Sequence, residues 1–393
     1  MNQPQNISNF LSPPFGGTKG GCSIIIAGGG TGGHIFPALA IANAIKRLQP
    51  NVEILFIGAK GKMEMEKIPQ AGYNIKGIDI VGFNRSSLLK NIALPFKLIK
   101  SFFQVKKIIK EFKPNAVIGV GGYASGPLLQ AARWLGYPYF IQEQNSYPGI
   151  TNKLLAKHAA KICVVYDGME QWFPEEKIIR TGNPVRSQIV ELSGNKLDAL
   201  SHFNLHPDKK TLFVTGGSLG ARGINNGILQ ALPHLFNHHN NINQAPIQII
   251  WQCGQLYINE LKPLIEQYKE SIYLTDFIDR MDLAYIAADG IVSRAGGTIS
   301  ELCLVGKPTI LMPSPNVAED HQTANAQQLM SKNAALMVTD KEADTQLYPA
   351  ITKILFDAQF ANLLAENIKR LAIPDAANRI AEVVLNQIIY PEK

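Results

Sequence analysis

Ile24-Ile25-Ile26-Ala27-Gly28-Gly29-Gly30-Thr31-Gly32-Gly33-His34 carries an apolar strand into a glycine turn and on into a helix. Leu212-Phe213-Val214-Thr215-Gly216-Gly217-Ser218-Leu219-Gly220-Ala221 repeats the pattern almost half a chain later. Glycine lets bare backbone amides approach an anion closely, and the helix start that follows adds a partial positive charge. Each turn therefore reads as a phosphate site, and the duplication reads as two nucleotide-fold halves facing one cleft. Strand and helix alternate outward from both turns. Val52 to Ile57, Ala116 to Val120, Tyr139 to Gln142 and Lys177 to Arg180 read as strands in the first half. Ile247 to Gln252, Ile272 to Leu274, Gly290 to Ser293 and Thr309 to Met312 follow Leu212 to Thr215 in the second. Short apolar runs with little alternation suit parallel strands covered on both faces. The fold class is α/β, with two Rossmann-like, doubly wound parallel-sheet domains.

The 393 residues, 46% hydrophobic and 18% charged, suffice for two cores, and no stretch of about eighteen uninterrupted apolar residues suggests a spanning helix. Residues 1–21 are polar, with Pro13-Pro14 and Gly16-Gly17 and without a signal-peptide pattern; they read as a disordered extension on a cytoplasmic protein. The first domain spans 22–184 and the second 185–374, joined at Thr181-Gly182-Asn183-Pro184-Val185-Arg186. A last helix, about 375–389 of the closing segment 375–393, follows Pro374; pattern does not decide whether it returns to the first half. Cys22, Cys163, Cys253 and Cys303 are too dispersed for a metal site and read as reduced, buried thiols. His238 and His239 fall in a polar stretch, 237–244, that reads as a solvated loop. No structural metal is expected.

A net charge of +7 and a pI near 9.0 favour an anionic partner without saying which. Lys90, Lys97, Lys100, Lys106, Lys107, Lys110 and Lys113 gather in one segment, where the helix from about Pro95 to Phe112 carries two apolar stripes. These are Phe96-Ile99-Phe103 and Leu98-Phe102-Val105-Ile109. One stripe docks such a helix on a sheet, and the second, flanked by lysines, suits an anionic membrane surface. Nucleic acid fits poorly, because no basic-aromatic repeat appears elsewhere.

Gly28, Gly30 and Gly33 satisfy the dinucleotide fingerprint, but the acidic residue expected at the end of the next strand is absent: Val52 to Ile57 runs into Gly58-Ala59-Lys60. Gly216-Gly217-Ser218-Leu219-Gly220 also fits a nucleophile elbow, with Asp289 and His321 following. A hydrolase, however, has no use for an earlier α/β half with its own glycine turn and histidine. In Ser293-Arg294-Ala295-Gly296-Gly297-Thr298-Ile299-Ser300-Glu301, the glutamate reads equally as a first-turn helix acid or as an acceptor for ribose hydroxyls.

The ordered set Gly29 to His34, Gly121-Gly122-Tyr123-Ala124-Ser125-Gly126-Pro127, Glu143-Gln144-Asn145, Gly182 to Arg186, Gly216 to Ala221 and His321-Gln322 resembles the MurG family, from about Cys22 to the C-terminus. Its members are the bacterial UDP-N-acetylglucosamine transferases that convert lipid I to lipid II in peptidoglycan synthesis. The resemblance implies a GT-B glycosyltransferase with the acceptor and membrane held by 22–184 and the UDP-sugar donor by 185–374. Transfer would be inverting, the muramyl 4-hydroxyl attacking the anomeric carbon as UDP leaves.

By the same resemblance, Arg186 and Ser218 contact the donor diphosphate, Ile278 the uracil, Glu301 the ribose and Gln322 the sugar. Thr31, Gly32, Gly33 and Asn145 complete the UDP-N-acetylglucosamine site from the other side, and Tyr123 lies on the acceptor side. His34 is the first choice of general base, since an imidazole titrates near neutrality and stands at the mouth of the first domain, and Glu143 is the reserve. No cofactor and no metal are implied; Glu319-Asp320 is the nearest acidic pair and reads as a solvated loop. The implied location is the cytoplasmic face of the bacterial inner membrane, peripherally bound, with lipid I, an anionic membrane surface and cell-wall synthesis proteins as partners. One departure is that the segment from Arg294 to Glu301 is a residue shorter than the family's pattern. A UDP-sugar epimerase of GT-B-like fold and a non-enzymatic nucleotide-sugar sensor are the alternatives.

Overall fold

A computed structural model describes residues 21–30, 32–82, 94–236, 245–317 and 320–390, and in it each glycine turn leaves the middle of its own sheet. The first half contributes β1 (Ser23–Gly28), β2 (Glu53–Ala59), β3 (Asn74–Ile78), β4 (Ala116–Gly121), β5 (Tyr139–Glu143), β6 (Lys161–Val164) and β7 (Ile178–Arg180). Among the described residues these pair in parallel in the order β3-β2-β1-β4-β5-β6-β7. The second half contributes β8 (Lys210–Thr215), β9 (Ile247–Gln252), β10 (Ile272–Thr275), β11 (Gly290–Ser293), β12 (Thr309–Leu311) and β13 (Leu336–Met337), in the order β10-β9-β8-β11-β12-β13. In both sheets the strand order reverses at the strand that feeds the glycine turn. The crevice beyond the carboxyl end of such a strand is where open α/β sheets bind ligands.

Each sheet is covered on both faces because successive side chains point to opposite sides. Ile25, Leu55, Val117 and Ile141 pack under the helices Leu94–Phe112 and Ser125–Leu135. Ile24, Ile26, Phe56 and Ile118 pack against Gly32–Leu48. In the second half, Leu212, Val214, Ile249 and Trp251 face Arg222–Phe236 and Ala343–Phe356, while Phe213, Ile250 and Ile291 face Met281–Ala287 and Thr298–Val305. Three strands have no counterpart in the sequence reading: Asn74–Ile78, Lys161–Val164 and the two-residue Leu336–Met337. The first and last are sheet edges, where one side needs no apolar cover.

The last helix, Ala376–Ile389, lies on the first domain, with Ile380, Ala381, Val384 and Leu385 in the core beside Ile41 and Ile45. The chain thus crosses between the halves twice, near 181–186 and near 370–375. In Leu94–Phe112, Ser101, Val105, Ile108 and Ile109 are buried. Leu98, on the same stripe as the buried Val105 and Ile109, is exposed, since the helix makes buried contacts only from Ser101 onward. Among the described residues no helix is long and apolar enough to cross a membrane. Cys163, Cys253 and Cys303 are buried free thiols, whereas Cys22, expected to be buried as well, is half-exposed just before β1. Lys90 and the stretch 237–244 with His238 and His239 lie outside the described residues.

Candidate functional site

A cleft of about 780 Å³ opens between the two sheets, with Gly32 and Gly33 on one wall and Gly216 to Gly220 on the other. The second turn lies tight against the end of β9. Gly217 and Gly220 have φ of 82° and 75°, and a Cβ on Gly220 would collide with the Cys253 carbonyl oxygen. Gln252 fixes this turn to the next loop: its Nε2 donates to Gly217 O at 2.9 Å and its Oε1 accepts from the Ile278 amide at 2.9 Å. Ser218 therefore sits half-buried in a held turn, four residues before the helix Arg222–Phe236, whose start favours negative charge.

Arg186 and Glu301 meet in the same cleft. The guanidinium donates to Glu301 Oε1 from Nη2 at 3.0 Å and from Nε at 3.2 Å, and it lies 5.1 Å from the centre of the Phe36 ring. The buried Tyr285 hydroxyl donates to Glu301 Oε2 at 2.9 Å; burial first, and then the Glu301 charge, push the phenol's pKa well up. Gln322 Oε1 accepts from the Ser314 amide at 2.9 Å, and its Nε2 lies over the space above Gly296. Arg294 grips Asp340 and donates to the Met312 and Pro313 carbonyls, bracing the loop after β12. In the shortened Arg294 to Glu301 segment, Gly296, Gly297 and Thr298 line the cleft, and the helix begins at Thr298.

The first turn is built differently. Gly30 has φ of 86°, and its amide donates to Glu64 Oε2 at 2.8 Å. His34 is half-buried in the first turn of Gly32–Leu48, its ring against the Gly121 backbone, and its Nδ1 has no hydrogen-bond partner among the described residues. Burial lowers its pKa from 6.5 to about 4. The Gly29 backbone opposes that shift, the His321 charge adds to it, and the Glu64 charge opposes it more weakly. The imidazole is thus neutral at neutral pH and can accept a proton.

Several expected site residues sit elsewhere. Glu143 does not line the cleft: its buried carboxylate accepts from the Asn145 amide, Asn145 Nδ2, the Gly149 amide and Asn152 Nδ2 at 2.8–3.2 Å, so it holds its own loop. Burial pushes its pKa up. Asn145 is tied across the domains, its Oδ1 accepting from Asn325 Nδ2 at 3.2 Å, while Asn325 Oδ1 accepts from the Ser146 amide and hydroxyl at 2.9 Å. The Ile278 side chain belongs to the core, and only its amide reaches the site, through Gln252; the neighbouring Phe277 lines the cleft. Tyr123 is exposed, its ring over Gly82 and near Gly30. Thr31 and Glu319 lie outside the described residues.

Residues 24–164 match the glycosyltransferase family 28 N-terminal domain, and residues 211–380 match the glycosyltransferase family 28 C-terminal domain. The chain belongs to glycosyltransferase family 28. Among family-28 relatives, the UDP-N-acetylglucosamine--N-acetylmuramyl-(pentapeptide) pyrophosphoryl-undecaprenol N-acetylglucosamine transferase of Phocaeicola vulgatus is 53% identical over 92% of this chain and 95% of its own length. The Cytophaga hutchinsonii protein of the same name is 53% identical over 93% and 96%. The crystal structure of Acinetobacter baumannii MurG superposes with a TM-score of 0.72 at 28% identity, covering 93% of this chain and all of that one. The fold is GT-B.

In this family-28 chain the sequence reading missed the residues that hold the site from behind. Tyr285 carries no motif and reads as a core aromatic in Met281–Ala287. Gln252 closes an apolar strand, where a polar residue on the last position is a usable signal. Glu64 is the acid missing from the end of β2, placed five residues beyond Ala59, at the start of the helix Glu64–Gln70, and folded back under the first turn. Asn325, buried in His321–Met330, becomes legible only when the two domains face each other.

Proposed function

We infer that this enzyme transfers N-acetylglucosamine from UDP-N-acetylglucosamine to the muramyl 4-hydroxyl of lipid I, giving lipid II in peptidoglycan synthesis. Identity near 50% over more than nine-tenths of relatives that bear this activity in their names carries the reading. The acceptor oxygen attacks the anomeric carbon, the bond from that carbon to the diphosphate oxygen breaks, and its electron pair leaves on UDP. Growing negative charge on the diphosphate falls to Arg186, to Ser218 and the amides of its turn, and to the start of Arg222–Phe236. Such preorganised groups act strongly where water is excluded. Glu301 receives the ribose hydroxyls, held ready by Tyr285 and exchanging some of its contact with Arg186 as the donor enters. Gln322 meets the sugar, and the Ile278 amide and Phe277 flank the base.

His34 takes the acceptor proton. A positioned base is worth about 10² to 10⁴ in rate. Glu143 acts indirectly, by holding the Asn145 loop against the second domain. Tyr123 and the exposed face of Leu94–Phe112 lie on the acceptor side, and that face seats the protein on the anionic cytoplasmic surface of the inner membrane, where lipid I is held.

Incubating the protein with labelled UDP-N-acetylglucosamine, with and without a lipid I analogue, tests the reading. Release of UDP only when acceptor is present is the expected result. A changed sugar without acceptor would make it an epimerase, and binding with neither product would make it a sensor.

A further inference from the structure

The two glycine turns are not electrostatic equivalents. Beneath the first lies Glu64, 1% exposed, its Oε2 accepting from the Gly30 amide at 2.8 Å and its Oε1 from the Ala59 amide at 3.0 Å. The carboxylate fills the space that a Cβ on Gly29 would need, and its Cγ lies 2.6 Å from where a Cβ on Gly58 would stand. These two glycines therefore make room for a buried anion. The described residues place no lysine or arginine within ion-pairing distance of it. A buried carboxylate with two amide donors and no counter-cation is costly unless a positive charge appears nearby. One of the turn's amides is consumed and a negative charge sits under it, so this turn is poorly suited to a second diphosphate and well suited to a cation. The His34 imidazole, in the first turn of the helix that follows, can become a cation there, and the charges of Glu64 from Glu64–Gln70 and His321 from His321–Met330 both act on it. From strand β4, the Gly121 backbone lies against its ring.

We propose that Glu64 is a positioning residue for proton transfer: it pins the turn that carries His34, and its charge supports the imidazolium formed when His34 takes the proton of the acceptor hydroxyl. This rests on the transferase reading above. In that step the hydroxyl O–H bond breaks, an N–H bond forms on the imidazole, and the freed electron pair makes the new glycosidic bond as UDP departs.

The test is kcat against pH for the full chain, at saturating UDP-N-acetylglucosamine and lipid I analogue, for Glu64→Gln and Glu64→Asp, each with and without His34→Ala. Removing the charge makes His34 a weaker base, so Glu64→Gln lowers plateau kcat about three- to tenfold and moves the acid limb to lower pH. KM for the donor stays within about twofold, because Glu64 does not line the cleft. Glu64→Asp keeps the charge but draws it back from the Gly30 amide; kcat falls and the acid limb stays near its native position. In the His34→Ala background both changes cost nothing further. An unmoved acid limb in Glu64→Gln, or an equal loss with and without His34, overturns the proposal. If Glu64→Gln fails to fold, the Glu64→Asp pair decides, equal loss in both backgrounds again being the overturning result. Near-native turnover in His34→Ala alone would instead remove the base assignment on which the proposal stands.

Discussion

The same side-chain type meets opposite surroundings at two places in this molecule. Glu301 is met by a guanidinium and a phenol and lines the cleft; Glu64 is met by backbone amides and is buried. His34 shows a related contrast, since burial and His321 hold it neutral while Glu64 limits the shift. That has a consequence for stability. In the unfolded chain His34 takes up a proton below pH 6.5, whereas in the folded chain it does so only near pH 4. The native state thus binds fewer protons in this window. Its contribution, at most about 3 kcal/mol, is complete above pH 6.5 and is lost as pH falls toward 4. Urea unfolding at pH 7.5 and 4.5 checks this: His34→Gln should lose clearly less stability on acidification than the native chain, and equal losses would refute it.

Among the elements, the helix Leu94–Phe112 is the most informative. Its inner stripe is fixed by the sheet, but Phe96, Ile99 and Phe103 remain 74%, 58% and 59% exposed, and Trp134 stands beside them with Lys106 Nζ 5.5 Å from its ring centre. A soluble partnerless surface rarely carries so many large apolar groups together. Lys107 and Lys110 flank the exposed face. Each such lysine is worth ~1 kcal/mol at an anionic surface, so Lys107→Gln with Lys110→Gln should weaken binding to anionic vesicles by about thirtyfold. Phe96→Ser with Ile99→Ser should abolish flotation while leaving the melting temperature unchanged, because neither side chain is in the core. Equal flotation on neutral and anionic vesicles would remove the electrostatic part of this reading. The periodicity in the sequence marked both stripes; which one is free depended on where the sheet ends.

On the scale of the molecule, the decisive element is the last helix. Ala376–Ile389 is separated by more than 300 residues from β1 and β2, whose core it helps to complete, and Leu385 lies there 2% exposed. Leu385→Ala should cost about 2 to 5 kcal/mol in urea unfolding. The loss should appear in the transition of the first domain, which calorimetry with and without UDP separates if, as proposed, the second domain holds the donor and is stabilised by mass action. A loss confined to the second domain would contradict the packing. A hydrogen bond from Arg47 Nη2 to Asn378 Oδ1 at 2.9 Å also joins this helix to Gly32–Leu48.

The sequence by itself determined the strands beside the two glycine turns and the parallel class of both sheets, and it put Arg186, Ser218, Glu301, Gln322 and His34 forward as site candidates. Those follow from local patterns: apolar runs too short for helices, glycines where a helix must start close to a strand, and motifs in fixed order. It could not show that Arg186 and Glu301 pair, that Glu143 is used up by its own loop, that Ile278 points into the core, or that Glu64 supplies the acid that β2 lacks. Each of these depends on which residues meet after two chain crossings have brought distant segments together. Burial, which sets both hydrogen-bond partners and the pKa of His34, is a property of that assembled interior rather than of any stretch of chain.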